Sequence, residues 1–307
     1  MMPLIGWIFA ITFGVLDSGT SLILNMWILV AGVQNLRTGQ RLNPPELIHF
    51  VIAVVNIALQ GLLVSHCLLF ICLPSLLFVK EFYVPAIMIT LTLMYLTYWL
   101  TAWLCVYYCL TICNINHPFF VWSRKNIPTY LPYLLPFLAA GCFLISFPTI
   151  WTTSVTITLQ PPVNGTRDPI FIRGTFVFQP FYIQSASFIG CCVPFLLILV
   201  SIVTTVSSLS RHVCKMRHKD SGLPRSKDQA HINAMRTMCR FLGFSISFYI
   251  NEISFFSKSP SSEDPYLVVS WLIFMLFPTA EPLIIITGNP KLRKHFTGRS
   301  LWFQRKL

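Results

Sequence analysis

Seven long apolar stretches constrain this chain more than any other feature. They lie at about 4–33, 47–73, 86–114, 131–152, 182–209, 238–257 and 266–288. A helix needs roughly 20 mostly apolar residues to cross the hydrocarbon of a bilayer, and each stretch reaches or exceeds that length. The chain is 55% hydrophobic and only 10% charged, whereas a soluble globular domain carries about 25% charged residues. The expected fold is therefore an all-α membrane protein, one seven-transmembrane-helix bundle over residues 1–307. The first, third and fifth stretches are the clearest. The second carries His49, Asn56, Gln60 and His66, and the fourth carries Pro132, Pro136 and Pro148. The sixth is the weakest, with Arg240, Asn251 and Glu252 inside its window. The first basic residue is Arg37. A secretory leader would carry a basic segment before its apolar run, so the first stretch is expected to persist as a span.

The net charge of +12 admits two explanations, nucleic acid or topology. Basic residues gather on the cytoplasmic side of a polytopic protein. With the N-terminus outside, the inner segments hold Arg37, Arg41, Arg124, Lys125, the basic residues from Arg211 to Arg240, and those of the tail. The outer segments hold only Lys80, Arg167, Arg173 and Lys258. This asymmetry sets the expected orientation as N-terminus outside and C-terminus inside, and it removes the need for a nucleic-acid partner. It makes 210–236 a basic cytoplasmic loop, 289–307 a basic cytoplasmic tail and 153–181 an extracellular loop. Asn164-Gly165-Thr166 is a glycosylation sequon and falls in that outer loop, which is therefore expected to be glycosylated at Asn164. None of the ten cysteines lies in the outer loop, so no disulfide is expected to tie it to the third helix; the cysteines read as small apolar packing residues.

The chain shows no Gly-rich phosphate loop, no His-Glu-x-x-His and no zinc-like cysteine spacing. It is read as a non-enzyme with no cofactor and no metal centre. No span repeats another and none carries a row of arginines or a filter sequence, which disfavours a transporter or channel. A receptor at the plasma membrane fits best, with a ligand entering from outside and a partner at the inner helix ends. The stretch "CLTICNINHPFFVW", Cys109 to Trp122, sits at such an inner end. Pro118 restricts His117 and cannot donate a backbone hydrogen bond, so the third helix is expected to stop or kink there. Phe119, Phe120 and Trp122 then re-enter the interface.

The run "WLTAWLCVYYCLTICNINHPFFVW", Trp99 to Trp122, resembles the third helix and following loop of the type 2 bitter taste receptors. Leu104, Tyr108, Leu110, Ile112, Asn114, His117, Pro118, Phe120 and Trp122 match in register. "LDSGTSLILN" from Leu16, "LNPPELI" from Leu42, "SLSRHVCKM" with "DQAHINAMRTM", and "PLIIITGNPKLRK" from Pro282 are similar to other segments of that family. The resemblance covers essentially the whole chain. Asn56 stands where the family usually has an Arg, Thr111 where it has a Lys, and Glu281-Pro282 where it has His-Ser. The chain thus reads as a divergent, non-mammalian member.

The resemblance implies a G-protein-coupled bitter taste receptor that binds small bitter compounds from outside and activates a heterotrimeric G protein, gustducin or another of the Gi type, among membrane lipid. The ligand would bind between the outer halves of the helices. Thr90, Leu91, Met94 and Tyr98 share a face of the third helix by helical spacing; Phe248, Tyr249, Asn251 and Glu252 on the sixth and Trp271 on the seventh complete the candidate set. Glu252 is positioned to counter a cationic ligand. Tyr108, His117, His212 and Lys215, at inner helix ends, are the coupling candidates. Asp17, Asn25, Asn56 and Glu281 form a candidate inner polar network that lacks the family's Arg, and Asp17, Asn56 and Glu281 in it are candidates to hold a proton or a cation. A type 1 vomeronasal-like pheromone receptor is the nearest rival, and a seven-span transporter or channel the rival of a different class.

Overall fold

The computed structural model describes residues 4–39, 41–73, 79–113, 118–159, 172–217, 225–258, 265–290 and 292–293. Among them are seven long helical rods. They are α1 (Leu4–Arg37), α2 (Pro44–Cys72), α3 (Lys80–Ile112), α4 (Pro118–Ser146), a rod made of α6 (Pro180–Ser187), a π-turn (Phe188–Cys192) and α7 (Val193–Arg217), then α8 (Arg225–Lys258) and α9 (Pro265–Gly288). One short turn, α5 (Thr149–Thr152), follows α4. Six of the rods are long and apolar enough to cross a membrane. The exception is α8, where Arg240 and Glu252 share an amphipathic helix with a polar start at Arg225.

Two expectations need correction. The fold is not purely α: β1 (Thr153–Leu159) and β2 (Ile172–Phe178) pair antiparallel, with Thr153 opposite Phe178. Both strands are rich in β-branched residues, Val155 to Thr158 in β1 and Ile172, Thr175 and Val177 in β2, which suits a pleated ribbon. The helix after the Asn-Ile-Asn-His stretch also begins earlier than the apolar window at 131, because Pro118 starts it. Proline is favoured in the first turn, where its missing N–H is not needed and its fixed φ is already helical. The helix then continues through Pro128, Pro132 and Pro136. Asn114–His117 and the sequon at Asn164 lie outside the described residues.

Sequence-adjacent rods pack as neighbours, and α9 returns to α1 and α2, closing the bundle. α3 is central. It packs on α2, α4, α7, α8 and the π-turn, and it has the most interior span window. The hairpin marks one end of the bundle, with Phe178 of β2 set edge-on to Phe256 of α8 at 5.2 Å between centroids. The opposite end carries the basic residues Arg37, Arg124, Lys125 and Arg240, all exposed. Near the hairpin, Tyr182 donates from its hydroxyl to the main-chain carbonyls of Ile145 and Ser146, each at 3.1 Å, pinning α6 to the end of α4.

The π-turn has a visible cause. Pro194 has no N–H to give to the carbonyl of residue 190, and its ring crowds that carbonyl. The chain widens by one residue there, as π-turns inside helices do. Gly190 sits on the widened turn against Tyr95 of α3. A Cβ built on Gly190 would stand 2.5 Å from the Tyr95 ring, and Tyr95 is fully buried and has no room to retreat. Gly190→Ala is expected to lower stability by about 1–3 kcal/mol through overpacking, read as a fall in melting temperature of the purified protein. Adding Tyr95→Leu should recover most of the loss. An unchanged melting temperature for Gly190→Ala alone would refute this contact.

Candidate functional site

Two buried carboxyls organise the interior. The first, Glu281 on α9, is fully buried. Asn56 of α2 donates its amide N–H to one carboxyl oxygen at 2.8 Å, and the Thr101 hydroxyl of α3 donates to the other. One side chain thereby joins three helices. Three residues before it on α9 lies the main-chain carbonyl of Pro278. Pro282, four residues on, has no N–H to offer this carbonyl, so the helix leaves it open. An open carbonyl in hydrocarbon costs several kcal/mol. α1 supplies the remedy: Ser21 donates its hydroxyl at 3.0 Å and Asn25 its amide at 2.8 Å. These two residues are four apart, hence on one helix face. Asn25 also bonds the main-chain carbonyl of Ser21 at 2.9 Å.

Asp17 lies two turns before Asn25 on α1 and is buried. Its neighbour Ser18 accepts from Gln60 of α2 at 2.8 Å, and the hydroxyl of Thr279 on α9 donates to the Asp17 main-chain carbonyl at 3.4 Å. Of the four residues expected to form an inner network, Asn56 and Glu281 touch directly. Asn25 and Asp17 join through main-chain atoms, Ser18 and Gln60. Thr101, Ser21 and Gln60 complete the network and did not stand out as members in the sequence; the Pro278–Pro282 spacing is the signal that points to Ser21.

The second carboxyl, Glu252 on α8, is fully buried too. Ser187 of α6 donates to it at 3.0 Å and the Cys191 thiol of the π-turn at 2.6 Å. The widened turn sets Cys191 toward α8, with buried Tyr95 of α3 beside the same carboxyl. Ser187 and Cys191 are four apart and share a face, but the sequence does not say that this face and Tyr95 of α3 meet Glu252.

Between the two carboxyls lies an aromatic layer. Tyr98 of α3 and Phe248 of α8 both meet Phe277 of α9, at 4.9 and 4.7 Å between centroids, and Phe244 meets Phe248 at 4.5 Å. Thr90, Leu91 and Met94 are buried in the same core, and Thr90 bonds back to the carbonyl of Ala86 at 2.8 Å. The expected ligand-facing residues of α3 are thus packed together and closed to solvent. Asn251 bonds the main-chain carbonyl of Ser270 at 3.3 Å. Tyr249 and Trp271 are partly exposed: Tyr249 stacks on Phe195 at 6.2 Å, and Trp271 donates its indole N–H to the Cys67 sulfur at 2.8 Å while lying edge-on to His66. At the basic end Tyr108 is half-buried. His212 and Lys215 lie on the last turns of α7, and His117 lies outside the described residues.

The Pro278 carbonyl makes a specific forecast. Asn25→Leu should cost roughly 1 kcal/mol, because Ser21 still serves the carbonyl. Ser21→Ala with Asn25→Leu should cost more than twice that, since no donor remains. Pro282→Ala added to this pair restores an N–H within α9 and should rescue thermal stability. Failure of that rescue would refute the role given to Pro282.

Among known proteins, the family model described as taste receptor protein (TAS2R) matches residues 1–305. A taste receptor type 2 member 41 from Gorilla gorilla gorilla is 28% identical over 204 residues, covering 65% of this chain and 65% of the relative. A taste receptor type 2 member 41 from Rattus norvegicus is 26% identical over 200 residues, with 65% of each chain covered. A taste receptor type 2 member 9 from Homo sapiens is 28% identical over 193 residues, covering 60% of this chain and 59% of the relative. The chain therefore spans 59–65% of the length of these relatives, while the family model takes in almost all of it: the chain belongs to the type 2, or bitter, taste receptor family.

Proposed function

We propose that this protein is a G-protein-coupled receptor for small bitter compounds. The observation that carries the reading is the family match across residues 1–305. It favours the bitter class over a type 1 pheromone receptor, an enzyme, a transporter or a channel. In this reading all seven rods span the plasma membrane, α8 included. The hairpin end faces outside and the basic end faces a heterotrimeric G protein of the gustducin or Gi type and the anionic inner leaflet.

The ligand enters at the hairpin end between α3, α8 and α9. Trp271 and Tyr249 are the partly exposed aromatics there, and the Tyr98–Phe277–Phe248 layer is the floor. Small-molecule sites are mostly apolar with a few placed polar groups. Thr90, Leu91, Met94 and Asn251 supply the walls, and Glu252 counters a cationic group of the ligand when Ser187 and Cys191 release it. Such a ligand binds one arrangement of α8 against α3 more tightly than another and shifts the population toward it. Tyr108, His117, His212 and Lys215 then meet the G protein, and a glycan on Asn164 marks the outer face.

The test is intracellular calcium in cells carrying this chain and a promiscuous Gα subunit, challenged with a panel of bitter compounds and bile-like steroids. A response is expected. Tyr98→Ala and Phe248→Ala should weaken potency by about tenfold or more, and His117→Ala should lower the maximum with surface expression intact. Silence across the panel at good surface expression, or ion flux without G protein, would overturn the receptor reading.

A further inference from the structure

Away from both carboxyls, four side chains meet between α2 and α9 toward the hairpin end. The Cys67 sulfur of α2 lies 3.8 Å from the thioether sulfur of Met275 on α9. Trp271, one turn from Met275, donates its indole N–H to the same Cys67 sulfur at 2.8 Å. His66, next to Cys67 in the chain, lies edge-on to that indole at 5.7 Å between centroids. A thiol, a thioether and an imidazole thus gather around one tryptophan. Met275 is buried, while Cys67 and Trp271 are half-buried, so the cluster is reached from the surface of the bundle.

His66 supplies an independent observation. A carbonyl only accepts, so the 2.7 Å contact with the Leu62 carbonyl puts a proton on Nδ1. In the neutral ring Nε2 then carries a bare lone pair. His66 is 5% exposed, and its Nε2 has no hydrogen-bond partner among the described residues. Tyr83 of α3 also lies edge-on to the ring, at 5.8 Å between centroids, so two aromatic side chains hold the imidazole. An imidazole anchored through Nδ1–H to a main-chain carbonyl, with Nε2 free, is the form that ligates metals.

We infer that Cys67, Met275 and His66 form a binding site for copper(I) between α2 and α9. Soft thiolate and thioether ligands select copper(I), and imidazole suits copper too. Two metal–sulfur bonds of about 2.3 Å span the gap between the two sulfurs at an angle of roughly 110°, and the His66 Nε2 lone pair completes the shell. On binding, Cys67 loses its thiol proton to solvent and the metal ion takes its place; no electron moves. One thiolate and one monovalent cation sum to zero charge, which suits an apolar interior. A divalent ion would leave an uncompensated charge, and no group of three histidine, cysteine or acidic side chains able to hold one occurs among the described residues. The Trp271 N–H then bonds the coordinated sulfur and orients it. Copper binding here stands apart from the receptor reading, since it needs neither bitter ligand nor G protein.

The experiment uses the full-length protein in lipid nanodiscs, titrated anaerobically with copper(I) against a chromogenic chelator. X-ray absorption then records the ion in protein loaded with one equivalent. Wild-type protein should hold one more tightly bound copper than Cys67→Ser. Trp271→Phe, which removes only the N–H on the sulfur, should weaken that copper by about tenfold. Met275→Leu, which keeps the thiol and nearly the same volume, should weaken it by more. Should Cys67→Ser not fold, Met275→Leu carries the comparison. Absorption should show two sulfurs and one nitrogen around the metal. Equal uptake and affinity in wild type, Cys67→Ser and Met275→Leu would put the metal on other cysteines and overturn the site. So would a shell of sulfur alone, the mark of a cysteine pair such as Cys109 and Cys113, whose sulfurs lie 3.8 Å apart.

Discussion

A bilayer offers no water to an open backbone group, and that constraint organises this molecule. α9 is interrupted by Pro278 and Pro282, so it cannot satisfy its own backbone. It must be held by helices that bring donors. α1 brings Ser21 and Asn25, while α2 and α3 bring Asn56 and Thr101 to the adjoining carboxyl. Apolar packing alone distinguishes poorly between helix pairs in lipid, because lipid tails are as apolar as leucine; polar contacts give such a bundle its specificity. The register of α1, α2 and α3 against α9 follows from these few hydrogen bonds.

The same logic repeats toward the hairpin. Pro194 widens the fifth rod, and the widened turn delivers Cys191 to Glu252 while Gly190 admits Tyr95. Two carboxyls, on α8 and α9, therefore bracket one aromatic layer, and α3 runs past both. A displacement of α8 against α3 must disturb Phe248 on Phe277 and the partners of Glu252 together. These packed side chains connect the hairpin end with the interior of the bundle through contiguous contacts.

Much of this was legible in the sequence. Apolar stretches of the right length mark six of the seven rods, with α8 the more polar exception, and Asp17, Asn56 and Glu281 stand out because acids and amides are rare at membrane depth. The partners were harder to read. Ser21 and Thr101 look like ordinary helical serine and threonine until the fold sets them opposite a proline-freed carbonyl and a carboxylate. Cys191 and Ser187, four apart, share a face by periodicity, but nothing in the sequence says that this face meets Glu252. The strands β1 and β2 were missed because loop-like composition at 153–181 hides a short threonine-rich ribbon that pairs only with itself.

The central claim is that Glu281 and Asn56 hold α9 to α2 through one bond in the bundle interior. A double-mutant cycle of Asn56→Leu and Glu281→Leu on thermal unfolding of the nanodisc-embedded protein measures it directly. Each single change leaves a buried polar partner unmatched, whereas the double change removes both. The account predicts that the double variant loses less stability than the sum of the singles, with a coupling of about 1–3 kcal/mol. Strict additivity would contradict it.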